Sequence, residues 1–102
     1  MNMIQLSQIP ESYISDLQKA ASILKEAGCT EVYVFGSLAD GTASDDSDID
    51  IAVKGLPKES YFKLGGRLMM ELSHRFDLID LDDNESRFAL HIQKKGGLVR
   101  VA

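Results

Sequence analysis

The 102-residue chain has a single cysteine and no long hydrophobic run. One cysteine excludes an internal disulfide framework and a metal site built from several thiolates. We expect Cys29, between a predicted helix and a predicted strand, to be a buried and inert thiol. No stretch approaches the ~18–20 apolar residues of a membrane-spanning helix, and the N-terminus lacks the features of a secretory leader. These absences predict a cytoplasmic protein that does not bind membranes.

The chain also lacks an excess of positive charge, since 11 Lys and Arg face 16 Asp and Glu, for a net charge of −5. A protein that binds a nucleic-acid backbone directly needs a basic face, so we do not expect nucleic-acid binding. Exposure to solvent is a sufficient explanation for Asp45, Asp46 and Asp83. It does not explain the carboxylates that lie inside strand-like apolar runs.

Several common active-site patterns are missing. The chain contains no Walker-type Gly-x-x-x-x-Gly-Lys and no Rossmann-type Gly-x-Gly-x-x-Gly. His74 and His91 have no partner at metal-ligand spacing, and we expect both at the surface or at helix ends. No Ser/His/Asp or Cys/His nucleophile can be assembled from the pattern.

Apolar periodicity predicts a single domain over residues 1–102, with one small mixed β-sheet flanked by helices, an α/β (α+β) fold in the order α-β-α-β-α-β. The predicted helices cover 10–27, 58–74 and 84–95, and the predicted strands cover 32–35, 49–53, 76–81 and 98–101. Residues 38–47 are expected to form a loop that opens with a helical turn. The inward stripe of the first helix is predicted to be Ile14, Leu17, Ala21 and Leu24. Close packing on the sheet or a kink is expected where Gly65-Gly66 interrupts the second helix.

A Gly-Ser turn and an Asp-x-Asp pair lie close together in the sequence. Gly36-Ser37 ends one apolar run, and Asp48 and Asp50 begin ten residues later at the start of another. Carboxylates at i and i+2 on a strand point to the same face, and Mg²⁺ is usually held by one or two carboxylates plus substrate phosphates. The turn offers backbone N–H groups and a hydroxyl to those phosphates, and Ser47 either joins them or satisfies local backbone. This stretch predicts a metal–nucleotide site.

A third carboxylate is expected from the strand at 76–81, where two residues compete. Asp77 and Asp80 are three residues apart, so they point to opposite faces of a strand. Only one of them can join Asp48 and Asp50, and periodicity alone leaves both possible.

The spacing of Gly36-Ser37 and Asp48-Ile49-Asp50 resembles the signature of the DNA polymerase β-like nucleotidyltransferase superfamily. Within it, the short length and the positions of Gly41 and Ser47 resemble the minimal nucleotidyltransferases, which are MntA-type antitoxin partners of HEPN-domain proteins. The resemblance extends to residues 76–101, where Phe76-Asp77-Leu78-Ile79 looks like the strand of the third carboxylate.

This resemblance implies that Asp48, Asp50 and Asp77 are the catalytic residues and the metal ligands. Asp77 would align and deprotonate the acceptor hydroxyl. The implied cofactor is Mg²⁺, with two ions, and the implied co-substrate is ATP. The implied nucleotide-binding residues are Gly36, Ser37, Ser47, Asp48 and Asp50.

The implied activity is transfer of AMP from ATP to a tyrosine of a HEPN RNase toxin, so that the chain acts as an antitoxin within a hetero-complex. With no second domain to form an acceptor pocket, a partner is expected to complete the site. One alternative is a weak enzyme that neutralises the toxin by binding, and a further one is a small-molecule (aminoglycoside-type) nucleotidyltransferase. The chain departs from many relatives at Asp40, where they carry Arg before the second Gly of Gly-Ser-x-Ala-Arg-Gly.

Overall fold

The structure, a computed structural model, describes residues 9–44 and 46–102. The elements are α1 (Glu11–Glu26), β1 (Glu31–Phe35), α2 (Ser37–Asp40), β2 (Ile49–Lys54), α3 (Tyr61–Glu71), β3 (Phe76–Asp80), α4 (Arg87–Lys95) and β4 (Val99–Arg100), with a 3₁₀ turn at Lys58–Ser60. Residues 1–8 of the predicted domain, and Asp45 with its predicted exposure to solvent, lie outside the described residues. The predicted α+β fold is confirmed. All four predicted strands are found. The helical turn predicted after Gly36 forms α2, so the described residues follow the order α-β-α-β-α-β-α-β rather than α-β-α-β-α-β.

The sheet is mixed, and within the described residues it has four strands in the order β3-β2-β1-β4. Strand β1 pairs antiparallel with β2 and β4, whereas β2 pairs parallel with β3. A parallel pair needs a crossover connection, and α3 provides it. The two strands that carry the predicted carboxylates are therefore neighbours, with β3 at the edge of the sheet.

Different helices pack against the two faces of the sheet. One face carries Val34, Ile51 and Leu78, and it packs against the apolar sides of α1 and α3. The opposite face carries Tyr33 and Ala52, which pack against α4. Because side chains alternate along a strand, Asp50 and Asp77 lie on this second face.

The interior of the main core is close to prediction, with one difference in α1. Cys29 is buried as expected, and burial raises the pKa of its thiol. The buried face of α1 differs from the predicted one. Tyr13, Asp16 and Ala20 are buried, whereas Ile14 and Ala21 are only half-buried.

Helix α3 runs through the glycine pair at Gly65 and Gly66. A Cβ at either glycine would meet no atom within 4 Å, so close packing on the sheet does not explain the pair. Within the residues that the structure describes, no helix is both long enough and apolar enough to cross a membrane.

Candidate active site

Asp50 and Asp77 are direct neighbours on the parallel strands β2 and β3. Residues paired in this way present their side chains on the same face of the sheet. Asp80 pairs with Val53 instead, three residues along the strand and on the other face, and its Oδ1 accepts from the N–H of Asp82 at 2.9 Å. The register therefore brings Asp77, and not Asp80, next to Asp50.

Three carboxylates influence one another at this end of the sheet. The pKa of Asp50 is raised from its ordinary value of 3.8, first by burial and then by the negative charges of Asp77 and Asp48. Desolvation and like charges both disfavour the ionised form of a carboxyl group. The site is thus strongly anionic, and a bound cation would relieve both effects.

Gly36 approaches Asp50 so closely that it must be glycine. A Cβ at Gly36 would overlap Oδ2 of Asp50. The residue also has a φ of 68°, a conformation that L side chains rarely adopt. The turn predicted to bind phosphate and the carboxylate predicted to bind metal are therefore in direct contact.

Asp48 lies just before β2 and forms an ion pair. Its Oδ1 is 3.2 Å from Nε of Arg75, whose side chain is 83% exposed. The backbone reinforces this connection, because the N–H of Ile49 donates to the carbonyl of Arg75 at 2.9 Å. An exposed arginine can be displaced at little cost, so the pair does not prevent Asp48 from binding a cation.

The two predicted serines have different surroundings. Ser37 is half-buried at the start of α2, beside Gly36. The hydroxyl of Ser47 accepts from the N–H of Ser44 at 2.9 Å, so this oxygen organises the loop before Asp48. A hydroxyl can donate as well as accept, and the contact with Ser44 leaves room for a phosphate role.

Asp40 is turned toward its own loop. Its Oδ1 accepts from the N–H and the hydroxyl of Thr42 at 3.0 and 2.5 Å. These two bonds hold the pKa of Asp40 below its ordinary value, with a smaller contribution from the charge of Lys95. Lys95 also lines a cleft of about 400 Å³ together with Gly36 and Asp40. A cation thus lies near the turn, although it comes from α4.

Sequence reasoning missed a buried polar cluster on the other side of the sheet. Asp16 is 2% exposed and Tyr13 is fully buried, whereas the side chain of His74 is 17% exposed. His74 was expected at the surface or at a helix end; it lies shortly after the end of α3, where it is half-buried and stacks on Tyr13 with ring centroids 3.8 Å apart. The available signal was an aspartate within the apolar side of a helix, where a charged residue is rarely buried without partners.

The donor chemistry of the site suits Mg²⁺, which prefers carboxylate oxygens and keeps several waters or phosphate oxygens as ligands. Among residues 9–44 and 46–102, no three His, Cys, Asp or Glu side chains form a ready-made metal group. Two carboxylates together with substrate phosphates are a usual ligand set for Mg²⁺. Asp48 and Asp50, with Asp77 alongside, are the residues that could hold it.

Comparisons with known proteins agree with this geometry. Residues 18–100 match the family model described as "Polymerase beta, Nucleotidyltransferase". A crystal structure of a toxin-antitoxin with AMP-PNP is 28% identical, with a TM-score of 0.64, and the match covers 82% of this chain and 70% of that one. A minimal nucleotidyltransferase is 23% identical, with a TM-score of 0.65 and coverage of 90% and 93%.

A further structure is the tri-AMPylated Shewanella oneidensis HEPN toxin in complex with MNT antitoxin, at 23% identity, a TM-score of 0.59 and coverage of 85% and 69%. At 23% identity, this structure and the minimal nucleotidyltransferase show the fold alone. The comparison with curated proteins finds no match. Because the family match extends over most of the chain and includes the Gly-Ser turn and all three carboxylates, the chain belongs to the polymerase β nucleotidyltransferase family and is a nucleotidyltransferase.

Proposed function

We propose that this nucleotidyltransferase transfers AMP from ATP to a tyrosine hydroxyl of a HEPN toxin, in a Mg²⁺-dependent reaction that makes it an antitoxin. The observation that carries the proposal is the contact of Gly36 with Asp50, which in turn neighbours Asp77. A phosphate held at the turn would lie beside the carboxylates that hold its metal. We expect the antitoxin and its toxin to act in the cytoplasm, where thiols such as that of the single cysteine stay reduced.

The reaction forms one bond and breaks another. The acceptor oxygen bonds to the α-phosphorus of ATP, the bond between the α- and β-phosphates breaks, and pyrophosphate leaves with the electron pair. The hydroxyl proton passes to the carboxylate of Asp77, and Asp48 and Asp50 are the residues that would hold the metal. Bound Mg²⁺ would supply charge stabilisation for the triphosphate and the departing pyrophosphate. The protein contributes mainly positioning and preorganised charge.

The triphosphate is proposed to lie along the Gly36-Ser37 turn, with Ser47 at the opposite side of the loop. Its charge needs a cation that Asp40 cannot provide. Lys95 supports this role, since it lines the same cleft as Gly36. Phosphate oxygens form strong charge-assisted hydrogen bonds with lysine.

A protein acceptor is supported by the surface next to Asp77. Phe62 and Met69 of α3 are 87% and 75% exposed. They line a groove of about 510 Å³ that also includes Gly65 and Asp77. Contiguous exposed apolar side chains on a small domain are typical of protein–protein contacts. The groove would receive the toxin segment that carries the acceptor tyrosine, and a HEPN toxin complex is described for one similar structure.

A second candidate is neutralisation by binding alone. It is favoured by Asp40 at a position where many relatives carry a cation. A negative charge beside the turn disfavours a bound triphosphate unless Lys95 and a metal compensate. This candidate predicts a stable complex without covalent change.

The test is the intact mass of a HEPN protein encoded next to this chain and co-expressed with it. We expect a gain of one or more AMP units with the wild-type chain and none with the double variant Asp48→Ala/Asp50→Ala. Asp46→Ala is the matched control, because Asp46 is an exposed acidic residue of the same loop. A stable complex with no mass gain in any sample would favour binding alone and overturn the transferase assignment.

A further inference from the structure

A buried carboxylate ties α1 to the connection between α3 and β3. Asp16 accepts from the N–H groups of Ser73 and His74, from the hydroxyl of Ser73, and from Nδ1 of His74 at 2.7 Å. Burial alone would raise the pKa of Asp16, but these hydrogen bonds together hold it below 3.8. A buried charge is tolerated only when it is fully hydrogen-bonded, so this segment has one preferred position.

The same cluster extends to the loop that precedes Asp48. The ring of Tyr13 stacks on His74 at an interplanar angle of 19°. The single proton of its hydroxyl is shared between the carbonyls of Ser44 and Ser47, at 3.1 and 2.5 Å. Because Ser47 immediately precedes Asp48, Tyr13 determines where the chain enters β2.

The cluster of Tyr13, Asp16 and His74 is therefore connected to the carboxylates by two segments of the chain. Ser73 and His74 continue into Arg75, which contacts Asp48 and receives the N–H of Ile49. Two residues later, Asp77 lies on β3 beside Asp50. The elements that carry the carboxylates share one buried anchor on the far side of the sheet.

We propose that Tyr13, His74 and Asp16 are positioning residues for the carboxylate site, with the hydroxyl of Tyr13 holding Asp48 where it can bind the metal. This inference rests on the proposed function, since it assumes that Asp48 is a metal ligand. Residues that orient metal ligands through hydrogen bonds typically change metal affinity or activity by about 10–100-fold when they are removed.

The test compares Tyr13→Phe with Tyr33→Phe. Each variant loses one hydroxyl from a buried ring. The hydroxyl of Tyr33, however, donates to Glu31, at the end of β1 that lies away from Asp50. We measure binding of Mn²⁺ with a non-hydrolysable ATP analogue, the Mg²⁺ dependence of transfer, and hydrogen exchange of the peptide that contains Asp48 and Ile49. Tyr13→Phe should weaken metal binding and raise the Mg²⁺ requirement by about tenfold, with faster exchange, whereas Tyr33→Phe should match wild type in all three.

Equal behaviour of the two variants would overturn the inference. So would a loss of activity in Tyr13→Phe that follows only the loss of folded protein, with an unchanged Mg²⁺ requirement. The proposed function fails separately, if wild-type protein binds neither Mn²⁺ nor the nucleotide analogue.

Discussion

The α-carbon of Gly36 faces the carboxylate of Asp50 with no space for a side chain between them. Gly36 and Gly41 flank α2, and both have positive φ, at 68° and 82°. A Cβ at Gly41 would meet no atom within 4 Å. The two glycines therefore separate the effect of backbone strain from the effect of contact with the site.

The first prediction uses this difference. Gly36→Ala and Gly41→Ala should each lose about 1 kcal/mol of stability or more, because alanine is strained at positive φ. Only Gly36→Ala displaces Asp50, so its transfer rate should fall about 100-fold, which is a typical cost of misplacing a reacting group by 1 Å. Urea unfolding and the rate of AMP transfer measure the two effects. Equal transfer rates in the two variants would show that the contact is not required.

The second prediction separates Asp77 from Asp80. Asp77→Asn should reduce transfer by at least about 100-fold, the usual contribution of a general base, with nucleotide binding retained. Asp80→Asn should remain close to wild type, because Asp80 pairs with Val53 away from Asp50. Single-turnover rates at saturating ATP provide the measurement. The reverse ranking of the variants would place the third carboxylate at Asp80.

The third prediction concerns pH. Because burial and the charges of Asp77 and Asp48 raise the pKa of Asp50, ionised Asp50 destabilises the folded protein relative to a neutral residue. Asp50→Asn should be more stable than wild type at neutral pH, by up to about 1 kcal/mol for a partly exposed charge. The difference should be absent below the ordinary pKa of 3.8, develop as the pH rises through the raised pKa, and then stay constant.

Asp16 provides a control of opposite sign for this experiment. Its pKa is lowered in the folded protein, so its contribution to stability is present above 3.8 and is lost as the pH falls through the lowered value. Asp16→Asn should therefore be less stable than wild type at neutral pH, by about 1–3 kcal/mol for a disrupted buried hydrogen-bond group. Urea unfolding across a pH series measures both variants, and matching signs for the two would contradict the assignment.

The fourth prediction tests whether Lys95 binds the triphosphate proposed to lie at the Gly36-Ser37 turn. Lys95→Gln should weaken binding of a Mg²⁺–ATP analogue by about tenfold, because a charge-assisted hydrogen bond to phosphate is worth about 1.5–3 kcal/mol. Lys94→Gln is the matched control, since Lys94 is exposed on the same helix and is not part of the cleft lining. Titration calorimetry distinguishes the two. Indistinguishable affinities would mean that Lys95 does not contact the triphosphate.

The fifth prediction concerns the groove beside Asp77 that is proposed to bind the toxin. Met69→Ser should weaken the complex with the HEPN protein by about tenfold, as expected for an apolar residue at the centre of an interface. Met70→Ser changes a neighbouring side chain that is 88% exposed but does not line the groove beside Asp77, and it should leave the complex intact. Titration calorimetry measures the affinity of each variant for the HEPN protein. A larger loss of affinity in Met70→Ser than in Met69→Ser would show that the interface lies on another side of α3.

The residues of the candidate site were chosen from local sequence, and their roles stay predictions. The two-residue period of a strand predicts a shared face for Asp48 and Asp50, and the charge of Asp48 helps to raise the pKa of Asp50. The turn at Gly36-Ser37 is recognisable because it interrupts an apolar run. The buried Cys29 and the extents of the helices and strands also follow from short-range patterns, with small shifts at the ends of elements.

The pairing of strands decided the rest. Asp77 and Asp80 are equivalent in a periodic pattern, and only the parallel register of β3 against β2 puts Asp77 beside Asp50. Register depends on how two strands far apart in sequence pack together, which no local pattern contains.

The sequence by itself determined which chemical groups the candidate site contains, since the carboxylates, the Gly-Ser turn and their spacing are local properties of the chain. The tertiary structure alone decided which groups meet. It joined Asp16 to His74 over a separation of 58 residues and turned Tyr13 toward the loop before Asp48. Such contacts form because buried polar groups must find partners when the core closes, and the choice of partner depends on the whole fold.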